Sequence, residues 1–567
     1  MEKPKLRSNF APGSSRWAVR RAQWKALGLS DEDMEKPKIA VVNSSSELAI
    51  CFSHLDDVAE TVKQSVREAG GLPFEIRTTA PSDFIFCAGG GGGYILSSRD
   101  LIVNDIEVTV EGAQLDGMVC LSSCDKTPPA HLMAAARLDL PTILMVCGYQ
   151  PSGEYQGEPM DIEEVFIRAA DAERGSITTE EIGAMADNAV RGPGVCSGMG
   201  TANSMHVVTE ALGMSLPGGA PVLANSSKMT EYARRTGERI VGMVLEDLRP
   251  RQILTPSAFH NAVAAVLASS GSINTVKHLQ ATATEGELDV DVFALFEQLS
   301  NTAPMLSAVR PNGNRSIEDF EAAGGARALL KQLEPILQPE ALTVTGRTVR
   351  QNLAGFEVPD DEVIRPLDRP VSTEAPIVIM HGSLAPESAI VKLGARDAQR
   401  KRQFSGPAVV CGAGNDAMSA INDGRVKAGD VLVVRGGGLK GGPGMAGRAS
   451  MVAFLLYAAG LENEVALVTD GQLSGLVNKG LVVGEVCPES AVGGPLALVR
   501  DGDRISIDVD TCTVDLDVDA DELAARAAEL GEPALPRARG YLHLYQRTVG
   551  PMSSGAVLGH ETGARPR

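Results

Sequence analysis

Two hydrophobic patterns succeed one another along this chain. From about residue 38 to residue 300, short apolar runs alternate with stretches in which apolar side chains recur every three or four positions. Lys38–Asn43 is a strand-length run ending in Ser44-Ser-Ser46. Leu55, Val58, Ala59, Val62, Val66 and Ala69 then mark one face of a helix that Gly70-Gly71 stops. Gly117–Leu121 reads as a buried strand. Pro128-Pro129 opens a helix through Leu138, because the first helical turn leaves unpaired the N–H that proline lacks. Thr142–Cys147 is the next strand, and a further helix is expected near Asn203–Leu212. Strands separated by helices predict an α/β domain with a mainly parallel sheet, since parallel neighbours need a crossover between them.

Beyond residue 355 the pattern changes. Pro359, Pro366, Pro370 and Pro376 punctuate an acidic, weakly patterned stretch, read as a linker over 356–376. Val431–Val434, Val465–Thr469 and the alternating Ile505, Ile507 and Val509 then signal strands among glycine loops, with a helix near Asp521–Leu530. The expected organisation is an N-terminal α/β domain over 1–355 and a β-rich C-terminal domain over 377–567.

Composition narrows the function. A length of 567 residues exceeds what one hydrophobic core serves, which agrees with two domains. The net charge of −20 repels nucleic-acid backbones and anionic lipid, so neither is an expected partner. Met1–Ser8 lacks an apolar signal core, and the best apolar candidate for a membrane span, around Ala262–Ser269, is too short. A cytoplasmic protein is the expectation. Nine cysteines, an odd number without a CxxC pair, argue against a disulfide framework, a zinc ribbon or a thioredoxin motif. Cys120 and Cys147 sit inside strand-like runs and read as small buried hydrophobes.

Three other cysteines are placed differently. Cys51 follows the Lys38–Asn43 strand, Cys124 lies just beyond Gly117–Leu121, and Cys196 sits in Gly192-Pro-Gly-Val-Cys-Ser-Gly-Met-Gly200 ahead of a helix. Loops beyond the carboxyl ends of strands converge on the ligand crevice of an α/β sheet. Three thiolates there suit iron–sulfur ligation, or zinc with an open position, although spacing alone leaves them as unrelated loop cysteines. Asp125 and Lys126 follow Cys124, and an Asp beside a Cys offers a hard ligand next to a soft one or, equally, a helix cap. The glycine runs Gly89–Gly93 and Gly436–Gly444 permit tight loops close to a ligand. Neither completes a phosphate-binding motif, since Lys440 is followed by Gly441-Gly442, and Gly412-Ala-Gly414 lacks a third glycine.

Taken together, these motifs resemble the dihydroxyacid and sugar-acid dehydratases, the family that includes phosphogluconate dehydratase. The resemblance runs through Ser46-Glu-Leu48 with Cys51 and His54, Glu68-Ala-Gly-Gly-Leu-Pro73, Ser98-Arg-Asp-Leu-Ile102, Cys124-Asp-Lys-Thr127 and Cys196-Ser-Gly-Met-Gly-Thr-Ala-Asn-Ser-Met205. It continues in Gly442-Pro-Gly-Met445, Thr469-Asp-Gly-Gln-Leu-Ser-Gly475 and Pro488-Glu489, and Leu6-Arg-Ser8 is closer to the sugar-acid branch. The resemblance implies a C-terminal β-barrel-like domain, an active site between the domains, and a homodimer or homotetramer. It implies that Cys51, Cys124 and Cys196 hold a [2Fe–2S] cluster, or [4Fe–4S] as in some relatives. Asp83, Asp125 and a carbamylated Lys126 would hold Mg2+, and Ser474 would act as base in making a 2-keto-3-deoxy acid from a hydroxy acid.

Departures qualify that expectation. Ala446-Gly447 stands where the family has Pro-Glu, with the Glu contributing to magnesium. Gln472 replaces an Arg, Glu485 a His, and Cys487 a Ser, while Phe84–Gly93 replaces a polar loop. Glu485 is therefore a candidate to supply the missing carboxylate. Dihydroxyacid dehydration in branched-chain amino-acid synthesis, and a non-catalytic paralogue that retains the cluster, are the alternative readings.

Overall fold

The computed structural model describes residues 6–393, 400–412, 415–445 and 448–559. The first sheet has four parallel strands, β1 (Lys38–Asn43), β2 (Leu72–Arg77), β3 (Gly117–Ser122) and β4 (Thr142–Val146), in the order β2-β1-β3-β4. Every residue of β1, β3 and β4 is buried, as expected for strands covered by helices on both faces. The Leu55–Glu68 helix packs with Ser227–Glu246, and Thr127–Leu138 packs with Gly93–Ala113 and Asn274–Glu285. Asp161 caps the helix Ile162–Glu173 by accepting from the Glu164 N–H at 2.8 Å. A short hairpin, β5 (Gly153–Tyr155) and β6 (Glu158–Met160), precedes that helix.

The second sheet has eight strands: β7 (Ile377–Met380), β8 (Ser388–Lys392), β9 (Gln403–Gly412), β10 (Val431–Arg435), β11 (Ala466–Thr469), β12 (Leu481–Cys487), β13 (Arg504–Asp508) and β14 (Thr513–Leu516). Their order is β14-β13-β9-β10-β11-β12-β8-β7, parallel from β9 to β12 and antiparallel elsewhere. A bridge between His381 and Thr513 brings the two outer strands together, so the sheet is nearly closed into a barrel. Alternation along β10 serves two cores. Val431 and Val433 fill the barrel, whereas Leu432 and Val434 join the core of the N-terminal helices.

The α/β first part and barrel-like second part agree with the sequence reading, and the named strands begin and end within a residue or so of their predicted bounds. One feature was not foreseen. The chain continues past the Ala520–Leu530 helix into Gly540–Thr548, which packs on the Gly93–Ala113 helix of the N-terminal half, and beyond it the Arg99 guanidinium donates to the Ala556 carbonyl at 2.7 Å. Among the described residues, no helix is long and apolar enough to cross a membrane.

Candidate active site

Three loops deliver the three cysteines to one end of the first sheet. β1 and β3 are neighbours, so the segments after Asn43 and Ser122 emerge side by side. The Ser123 hydroxyl donates to the Cys51 carbonyl and ties these segments together. Val195 pairs with Tyr149, beyond the end of β4, which places Cys196 beside the other two. Each cysteine also precedes a helix by a few residues: Leu55–Glu68, Thr127–Leu138 and Thr201–Ala211. The positive end of a helix dipole favours thiolate over thiol, which opposes the effect of burial at Cys124 and Cys196.

The Cys51 and Cys124 thiols lie within hydrogen-bonding reach, and this contact together with burial raises the Cys124 pKa well above its ordinary value. Burial, and then the nearby Glu163 carboxylate, does the same at Cys196. Cys120 and Cys147 are fully buried, as small hydrophobes should be.

Asp83 begins the helix Asp83–Ala88, and Lys126 lies between two carboxylates. Its ammonium is 2.9 Å from Asp83 Oδ2 and 3.5 Å from Asp125 Oδ2. Burial lifts Asp83 well above the usual carboxylate range, with Lys126 opposing. Burial alone would lower the Lys126 pKa, but Asp83 and Asp125 outweigh it and hold the pKa above normal. Asp83 Oδ1 is buried without a hydrogen-bond partner.

These groups share a cavity of about 100 Å3 that Asp83, Cys124, Asp125, Cys196 and Ser474 all help to line. Ser474 reaches it from the C-terminal half. Its N–H donates to the Ser450 hydroxyl at 2.7 Å, and its own Oγ accepts from the Leu476 N–H at 3.2 Å. The donated N–H stabilises negative charge on that oxygen. Phe84, which lines the cavity too, meets the Phe166 ring edge-on at 5.6 Å, so the segment that replaces the family's polar loop forms an apolar wall.

The donor chemistry suits the groups that the sequence suggested. Among the described residues, no three His, Cys, Asp or Glu side chains surround a single metal-ion position. A multi-iron cluster spreads its thiolates over more space than one ion does, and two thiols lining the cavity, Cys124 and Cys196, with Cys51 beside Cys124, fit that need. The Asp83–Asp125 pair already holds one cation, the Lys126 ammonium, and keeps a spare oxygen on Asp83. That suits a hard divalent ion once the lysine is neutralised.

Glu485 is placed elsewhere. One extra residue in β12 between Gly484 and Cys487 makes a bulge, and Glu485 sits in it with φ 55°. The bulge aims its carboxylate at Lys277, with Nζ–Oε1 at 2.5 Å, while Oε2 is buried and unpartnered. Lys277 also donates to Asn274 Oδ1 at 2.6 Å, and Gln472 donates to the same oxygen at 3.3 Å. Ala446, Gly447 and Gly414 lie outside the described residues.

The glycine runs serve packing. Gly436 and Gly437 donate to Asp470, and Lys440 and Gly441 donate to Glu489 through their backbone N–H groups, so these amides already have anionic partners. Gly444, with φ 76°, packs directly on Gly93, where a β-carbon would meet the Gly93 carbonyl at 1.8 Å. The two runs thus meet each other.

Glu163 escaped the sequence reading. As one of two glutamates opening a helix it looks like an ordinary solvated first turn, yet it is 5% exposed and lines the cavity. Burial, with Asp161 and Asp125 adding to it, pushes its pKa well above the ordinary value, against Lys392 and Arg310.

A two-part α/β and barrel-like protein, with soft thiols, hard carboxylates and a serine around one cavity, is the class this architecture defines. Residues 36–352 match the dihydroxy-acid/6-phosphogluconate dehydratase N-terminal domain and residues 362–556 match its C-terminal domain, and the chain belongs to that family. It is 41% identical over 555 residues to a dihydroxy-acid dehydratase of Ignicoccus hospitalis, covering 98% of each chain. It is 40% identical over 557 residues to one of Pyrococcus abyssi, covering 98% of this chain and all of the relative. A Sulfurisphaera tokodaii dihydroxy-acid dehydratase is 39% identical over 559 residues, with 98% and 99% covered.

Proposed function

We propose that this protein is a hydro-lyase that converts a 2,3-dihydroxy carboxylic acid, a sugar acid, to the 2-keto-3-deoxy acid in the cytoplasm, as a homodimer or homotetramer. The observation that carries this reading is the shared cavity of Cys124, Cys196, Asp83, Asp125 and Ser474, with Cys51 against Cys124. Cys51, Cys124 and Cys196 would hold a [2Fe–2S] or [4Fe–4S] cluster, and Asp83, Asp125 and a carbamylated Lys126 would hold Mg2+. When bound, these groups supply Lewis acidity toward the substrate's carboxylate and hydroxyls.

Ser474 takes the proton from C2. Its oxygen accepts the Leu476 N–H, which favours the alkoxide it needs to be. Loss of hydroxide from C3 leaves an enol, which takes a solvent proton at C3 to become the 2-keto acid. The apolar wall around Phe84 and Phe166 limits water in the cavity and strengthens its charge interactions. Incubating the iron-replete protein with C5 and C6 aldonates and Mg2+ should yield 2-keto acid. Failure on every hydroxy acid would leave a protein that keeps the fold without the reaction.

A second reading has its own support. The relatives are named dihydroxy-acid dehydratases, and an apolar wall accommodates an aliphatic tail such as that of 2,3-dihydroxyisovalerate. Turnover of that acid in preference to every aldonate would decide for it.

A further inference from the structure

Glu163 sets this cavity apart from a purely apolar one. Its carboxyl group makes no hydrogen bond or ion pair among the described residues, although the residue is more than nine-tenths buried. Every other carboxylate, amide and hydroxyl side chain lining the cavity has a described partner. Asp83 and Asp125 have Lys126, Asn274 has Lys277, and Asn203 donates to the Cys196 and Gly198 carbonyls at 2.8 Å. Thr201 pairs with Ser272, Gln472 donates to Asn274, and Ser450 accepts from the Ser474 N–H.

Glycines make room for this carboxyl group. A β-carbon at Gly198 would lie 2.4 Å from Glu163 Oε2, and one at Gly200 would lie 2.5 Å from Oε1. Any side chain at either position would displace the carboxyl group. The Cys196-Ser-Gly-Met-Gly200 loop thus carries a cysteine and also seats an acid beside it. Phe166, one helical turn on from Glu163, belongs to the apolar wall.

A buried carboxyl group without a partner costs free energy, and that cost is recovered when a ligand supplies hydrogen-bond donors. We infer that Glu163 holds the distal hydroxyl groups of a polyhydroxy acid and makes the cavity reject acids with aliphatic tails. Neighbouring hydroxyls on a sugar acid can donate to both carboxyl oxygens. A methyl group in the same place leaves Glu163 desolvated and unpaired, which is how a polar site rejects an analogue lacking its hydroxyl. The inference rests on the dehydratase reading and adds the residue that selects the substrate.

The test uses the full-length, iron-replete protein and its Glu163→Gln and Glu163→Leu variants. Each is assayed with C5 and C6 aldonates and with 2,3-dihydroxyisovalerate, and aldonate affinity is measured separately by calorimetry. Visible absorbance from the cluster and the melting temperature show that each variant is loaded and folded. The wild type should prefer an aldonate. Glu163→Leu should weaken aldonate affinity and kcat/KM by about 10- to 100-fold, the cost of leaving buried hydroxyl groups without a partner, while 2,3-dihydroxyisovalerate turnover holds or rises. Glu163→Gln, which keeps one acceptor, should fall between.

Two results would overturn the inference: folded Leu and Gln variants that bind and turn over aldonates like wild type, or a wild type that binds no aldonate or prefers the aliphatic acid. Aldonate binding that depends on Glu163 in a protein without any turnover would uphold the inference and sink the dehydratase reading instead.

Discussion

Lys277 and Glu485 form a fully buried ion pair that joins the Asn274–Glu285 helix of the N-terminal half to strand β12 of the barrel-like sheet. Burial lowers the Lys277 pKa, and Glu485 opposes that shift. Breaking such a pair from one side strands a charge in the interior. Lys277→Leu or Glu485→Leu alone should therefore cost about 3–5 kcal/mol of stability. The double replacement should cost much less than the sum. Denaturant midpoints of the four proteins check this, and additive single effects would show that the two side chains are not coupled.

Ser474 is the proton acceptor in the proposed reaction, so Ser474→Ala should lower kcat by about 100- to 10,000-fold. Substrate affinity measured by calorimetry should change little, because the alanine keeps the N–H that donates to Ser450. A variant with near-normal kcat would assign the base elsewhere.

The cysteines fall into two groups with opposite expected behaviour. Cys51→Ala, Cys124→Ala and Cys196→Ala should each lose iron, acid-labile sulfide and visible absorbance. Cys120→Ala, in the fully buried β3, should keep all three and lose only packing, about 1 kcal/mol or so. Normal iron content in any of the first three would remove that residue from the ligand set.

Lys392 gives stability a pH dependence. Its ammonium donates to the Gly271 and Ser270 carbonyls, but burial pulls its pKa down to about 7, against the pull of Glu163. An unfolded lysine titrates near ~10.4, so between these values the unfolded chain binds a proton that the folded chain does not. This group's contribution to stability therefore rises with pH across that window and is flat below it. The stability difference between wild type and Lys392→Met should shift in favour of wild type by about 2 kcal/mol from pH 7 to pH 9. Unfolding curves for both proteins at the two pH values test the sign.

What the sequence made legible follows from the range over which each signal acts. β1, β3 and β10 show themselves locally, because a strand buried on both faces is a continuous apolar run. Cys51, Cys124 and Cys196 could be named as loop residues, but their grouping depends on β1 lying beside β3 and on the Val195–Tyr149 bridge, neither of which leaves a local trace. Glu485 reads in the sequence as a candidate for the missing carboxylate, because nothing nearby reports a β-bulge that turns it toward Lys277, 208 positions away in the chain. Glu163 was hidden in a similar way: an acidic first turn is ordinary on a solvated helix, and only the tertiary fold seats it against Gly198 and Gly200.

The central claim is a dehydration, and the position of one hydrogen tests it most directly. Protein purified without oxygen, with its iron and sulfide measured, is incubated with an aldonate and Mg2+ in D2O, and the product is examined by NMR. The expected product is a 2-keto-3-deoxy acid that has lost the C2 hydrogen and carries one solvent-derived deuterium at C3. A product that keeps its C3 hydroxyl, or no keto acid from any hydroxy acid offered, would contradict it.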